Sequence, residues 1–96
     1  MDDTTLVTKV KEALGITTND EAVINNIKLK TMTAKGYLIK GGALHMKNDP
    51  VTKENLIDDI DVSCIAIGVN DLLNCKPGET KFSPAFNILS LQICRG

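Results

Sequence analysis

The chain has 96 residues, one domain's worth, and a domain of this size buries only roughly 60–65% of the surface its unfolded form exposes. Small domains with so modest a core add a disulfide set, a metal or an oligomeric contact. Eleven basic side chains face twelve acidic ones, Arg95 is the single arginine, and the aromatics are Tyr37, Phe82 and Phe86 alone, which argues against tight, autonomous binding of nucleic acid by phosphate neutralisation or base stacking.

The first predicted helix runs from about Thr4 to Leu14. Leu6, Val7, Val10, Ala13 and Leu14 recur at three- and four-residue spacing and give it one apolar face. Gly15 stands where a left-handed residue closes a helix, and Ile16 can fold back on the last turn. The second helix is predicted over 18–40, opened by Thr18-Asn19-Asp20-Glu21 as a capping box. Its stripe is Val23, Ile24, Ile27, Thr31, Ala34 and Leu38, and Gly41-Gly42 ends it. Gly36 inside it costs about 1 kcal/mol relative to Ala and marks a place where it can break.

Residues 41–51 read as a loop, and Thr52 as the N-cap of a third helix running to about Leu73. That helix carries two apolar stripes: Leu56, Ile57, Ile60, Cys64 and Ile67, and Val62, Ile65, Val69, Leu72 and Leu73. A helix apolar nearly all round is buried, and a chain this short has little of its own to cover both stripes. Residues 74–82 form a second loop centred on Pro77-Gly78, a type II turn signal. Ser83 as N-cap and Pro84 at the first helical position open a fourth helix, predicted over 83–94. Ala85, Phe86, Leu89 and Ile93 line one side of it, and Ile88 and Leu91 lie off that side. The expected fold is all-α, a single bundle of about four helices spanning 1–96, with Ile27, Leu38, Ile60, Cys64 and Ile67 in the core.

No catalytic, cofactor-binding or metal-ligating constellation emerges. His45 is the single histidine and is expected as an exposed loop residue. Cys64, Cys75 and Cys94 are odd in number and lack the C-x₂-C spacing of a zinc site or the pattern of a disulfide framework. Cys64 lies on an apolar stripe, where a free thiol packs as a small hydrophobe. No serine sits in a nucleophile elbow, and Gly41-Gly42 lacks the Lys-Ser/Thr of a phosphate loop. The reading is therefore not an enzyme, with no metal and no cofactor. Helix, Gly15, helix has the outline of a helix-turn-helix, but Asp20 and Glu21 open the second helix where phosphates would approach. No apolar run approaches the roughly 18 residues of a membrane span. The opening Met-Asp-Asp-Thr-Thr is not a signal peptide. The expectation is a soluble protein made in a reducing cytoplasm, with no membrane partner.

Charge is segregated along the chain. From Lys28 to Lys53 there are six lysines and one acid, Asp49; from Glu54 to Asp71 there are five acids and no base. Either these are two solvated faces, or a basic side meets the acidic side of the next copy. In the second case Lys28 and Lys35 would meet Asp58 and Asp61 of a neighbour, a head-to-tail contact that closes into a ring when the rotation permits.

The order of these segments resembles a known family. Val7-Thr8-Lys9-Val10-Lys11-Glu12-Ala13-Leu14-Gly15-Ile16 is similar to the opening of the head–tail connector, or head-completion adaptor, proteins of tailed bacteriophages. The acidic helix start Asp20-Glu21, the apolar third helix, the segment 78–86 (Gly-Glu-Thr-Lys-Phe-Ser-Pro-Ala-Phe) and the closing Ile88-Leu89-Ser90-Leu91-Gln92-Ile93 extend the resemblance over nearly the whole chain. The third helix departs from it in lacking an aromatic near its C-terminal end. The resemblance implies a structural virion protein at the head–tail interface, made in the host bacterial cytoplasm. Copies would form a ring between the portal protein and a stopper or tail-completion protein, with DNA passing through without sequence-specific binding. The other reading is a small helical DNA-binding or regulatory module, against which the near-zero net charge stands.

Overall fold

The computed structural model describes residues 1–76, 79 and 81–95. Among them are four α-helices, one 3₁₀ turn and no strand. The Pro77-Gly78 turn expected from the sequence lies outside the described residues.

Helix α1 spans Asp3–Ala13, with Asp2 as N-cap accepting the Thr5 N–H at 2.8 Å. Its end is the closure that Gly15 and Ile16 foretell: Gly15 takes φ +70°, its N–H reaches Glu12 O, and the Ile16 N–H reaches Lys11 O at 3.0 Å. Helix α2 spans Glu21–Lys40 without interruption at Gly36. Its N-cap is Asp20 rather than Thr18. The Asp20 carboxylate accepts from both Ala22 N and Val23 N, whereas the Thr18 hydroxyl accepts only from Asp20 N. A carboxylate that satisfies two of the four orphan donors also suits the positive end of the helix dipole. Gly42, at φ +119°, then turns the chain into a 3₁₀ turn, Leu44–Met46.

The third helix differs most from expectation. Helix α3 spans Asp59–Leu73, so it begins seven residues after Thr52. The intervening backbone has other partners. Asp49 Oδ1 accepts from Val51 N and Thr52 N, and Lys53 sits at φ 64°. The Asn55 N–H donates to Met1 O, the Leu56 N–H to His45 O, and Asn55 Oδ1 accepts from Ile57 N. With those donors taken, the helix starts where a reciprocal capping box is available: Asp58 Oδ1 accepts from Asp61 N and Asp61 Oδ2 from Asp58 N. Helix α4 spans Pro84–Arg95; Ser83 Oγ accepts the Phe86 N–H at 3.3 Å, and Asp71 Oδ2 of α3 accepts the Ser83 N–H at 2.8 Å.

Helix α3 is the central element and packs against α1, α2 and α4. Leu6 and Val10 of α1, Ile27, Ala34 and Leu38 of α2, Cys64, Ile65 and Val69 of α3, Met46 of the 3₁₀ turn and Phe86 of α4 close the core. Ile67 is half-buried against it. Ile60 is not core: it is 62% exposed. Once α3 starts at residue 59, Leu56 and Ile57 no longer belong to a helical stripe, and Ile60 is left in a first turn at the edge of the bundle. Gly68 lets α4 approach α3, because a Cβ there would lie 2.6 Å from Phe86 Cε2. The Phe86 ring stacks on Phe82 with centroids 4.1 Å apart, and Tyr37 completes the cluster at 4.8 Å from Phe82. No helix of the described residues is long and apolar enough to cross a membrane.

Candidate functional site

The four charged residues expected at a subunit interface do not form two exposed faces. Lys28 is exposed. Lys35, one face-repeat further along α2, is buried at 6% exposure, with its Nζ 2.7 Å from Asp3 Oδ1 and 2.8 Å from Asn48 Oδ1. Asn48 donates to Asp3 Oδ2 and accepts from Asn55 Nδ2. This closed polar network ties α1 and α2 to both ends of the 48–55 loop. A buried ammonium needs such full pairing, since an uncompensated one would shed its proton.

Asp61 is likewise taken up inside the subunit. The residue is 3% exposed, and its carboxylate accepts both the Asp58 N–H and the His45 Nε2–H, the latter at 2.7 Å. His45, expected as a free loop residue, is therefore half-buried and anchors the 3₁₀ turn to the first turn of α3. The sequence signal for this pair is faint, because 16 residues separate its members. Asp58 remains exposed but spends one oxygen on the Asp61 N–H.

A carboxylate-oriented imidazole is also half of a nucleophile-activating arrangement. No serine or cysteine hydrogen-bonds the ring among the described residues. Cys64, one turn beyond Asp61, is fully buried, and its thiol is pushed up to about 12 by burial first and by the charge of Asp61 and the neighbouring Cys94 second. Such a thiol is a packing group and not a nucleophile. Cys75 and Cys94 are free and half-buried, their thiols directed at Asp71 O and Leu38 O. No group of three or more His, Cys, Asp or Glu among the described residues is placed to hold a metal ion.

What the bundle does present is exposed apolar surface: Leu29 and Val51 are 64% and 87% exposed, and two further groups of residues gather into surfaces that bear on assembly. Leu44, Leu56 and Ile60 are all more than 60% exposed. Leu44 and Leu56 line one shallow cleft, Ile60 and Ile93 line a second, and His45 lines both, so the three form one continuous surface. The Asp61–His45 bond and the Leu56–His45 backbone bond tie its parts together. The second surface is the outward side of α4, where Ile88 and Leu91 are 61% and 57% exposed. The sequence already sets Ile88 and Leu91 apart from the buried side of that helix. Leu44 and Leu56 escape it, although the alternation Asn55 buried, Leu56 exposed, Ile57 buried is that of an extended strand.

No known protein family, curated protein or solved structure matches the chain.

Proposed function

We propose that this chain is a structural, non-enzymatic virion protein: one subunit of an oligomeric adaptor ring that joins the portal vertex of a phage capsid to its stopper and tail, with DNA passing through the ring. The observation that carries the reading is surplus apolar surface on a bundle whose core is already closed. Leu44, Leu56, Ile60, Ile88 and Leu91 stay in water in the isolated subunit. At roughly 25 cal/mol per Å² of apolar surface buried, covering them in an assembly is a substantial source of affinity. The segment order, read above as resembling that of head-completion adaptors, points the same way. So does the formal net charge of −1, since a channel through which DNA slides should not grip phosphates.

Deleting the gene is expected to yield DNA-filled heads without tails, and the purified protein is expected to co-sediment with portal rings in fixed proportion. Infectious tailed particles from the deletion would overturn the proposal. A salt-sensitive shift of duplex DNA by the free protein would favour the DNA-binding module instead.

A further inference from the structure

The two exposed apolar surfaces differ in their charged surroundings, and the difference matches one to the other. On the outward side of α4, Ile88, Leu91 and Arg95 fall three and four residues apart, in one row. Asn87 and Gln92 flank that row, its own charge is the exposed, positive Arg95, and the exposed Lys40 of α2 lines a shallow cleft beside Leu91. The Leu44–Leu56–Ile60 surface has Glu54, Asp58 and Asp59 at its Leu56–Ile60 end, all exposed, with Lys47 at the Leu44 end.

We propose that the outward row of α4 in one copy packs on the Leu44–Leu56–Ile60 surface of the next copy, with Arg95 reaching the acidic start of α3. The inference rests on the assembly reading above and names the two surfaces that make the contact. The occupant of each surface is a second copy of this chain because each offers what the other lacks: an apolar helix row with cations beside it against an apolar surface with an acidic end. A pairing of two α4 rows would leave Leu44, Leu56 and Ile60 uncovered, and a pairing of two Leu44–Leu56–Ile60 surfaces would bring their acidic groups into the same interface. The mixed contact covers both surfaces at once. Each surface of a copy meets a different neighbour, so the contact is heterologous: a pair of copies still has one free surface of each kind, and assembly continues to a ring or a chain. The apolar side chains supply the affinity, and Arg95 sets the orientation.

Sedimentation equilibrium of the full chain at high micromolar concentration tests this. The wild type is expected to exceed the mass of a dimer. Ile60→Asp and Leu91→Glu each spoil one surface, and each alone is expected to sediment as a monomer. An equimolar mixture of the two is expected to give dimers and nothing larger, because the intact α4 of the first fits the intact Leu44–Leu56–Ile60 surface of the second. Both side chains are exposed, so both variants should melt as the wild type does. Arg95→Glu, remote from the core, is a further variant expected to weaken assembly. A wild type that stays monomeric, or that stops at a dimer, overturns the proposal. So does a variant that assembles as the wild type does. In that last case the broader assembly reading survives and only the choice of surfaces falls, whereas failure to bind portal rings would strike the broader reading itself.

Discussion

Gly68 and Gly36 both lie inside helices, and the same replacement acts on them in opposite directions. At Gly68 a methyl group would meet Phe86 at 2.6 Å. That ring is fully buried and stacked on Phe82, so it has little room to withdraw. Gly68→Ala is expected to cost about 1–3 kcal/mol, the usual penalty of overpacking, seen as a lower urea midpoint at unchanged slope. At Gly36 nothing lies within 4 Å of the added carbon, so Gly36→Ala should stabilise by about 0.5–1 kcal/mol through helix propensity alone. Thr31 is a third position of this kind. Its hydroxyl is fully buried on α2 with no hydrogen-bond partner among the described residues. Thr31→Val keeps the branched shape and removes the unsatisfied group, and is expected to add about 1 kcal/mol. A loss of stability on that change would mean that the hydroxyl has a partner after all.

Helix ends are where sequence and structure part company, and the cause is competition between caps. The elements themselves are legible because their apolar spacing is 3.6-periodic, and their stops at Gly15 and Gly41-Gly42 and the start at Ser83-Pro84 are local chemistry. Thr18 and Asp20, or Thr52 and Asp58, are each a plausible pair of caps on local grounds. Distant partners decide between the second two: His45 O takes the Leu56 N–H and Met1 O takes the Asn55 N–H. That shift carries Ile60 from core to surface and leaves Leu56 exposed beside it. Asp58→Ala, which removes half of the capping box, is expected to lower stability by about 1 kcal/mol. Lys35 illustrates the same limit. Its seven-residue spacing from Lys28 is right for one helix face, but Asp3, 32 residues away, claims its ammonium. Lys35→Glu should therefore act on the fold, bringing a second carboxylate against Asp3. A lowered melting temperature in the isolated protein is the expected result, and an unchanged one would show the ion pair to be dispensable.

At the scale of the whole molecule, the thiol of Cys64 reports on the core in which α1, α2 and α4 close on α3. In the folded chain it holds its proton up to about 12, and an ordinary thiol releases it near 9.0. Across that window the unfolded chain binds fewer protons at this site than the folded one, so its contribution to stability falls as pH rises. Cys64→Ala should lose less of its stability between neutral and alkaline pH than the wild type loses. A thiol reagent should modify Cys75 and Cys94 in the native protein and Cys64 only on unfolding. The aromatic cluster has an optical consequence. With no tryptophan in the chain, Tyr37 is the sole strong intrinsic emitter, and both phenylalanines lie within van der Waals reach of it, Phe86 with its centroid at 5.8 Å. Light absorbed by Phe82 and Phe86 should therefore leave the native protein as tyrosine fluorescence, and phenylalanine emission should emerge when α4 lifts from the bundle, an unlabelled readout of one helix.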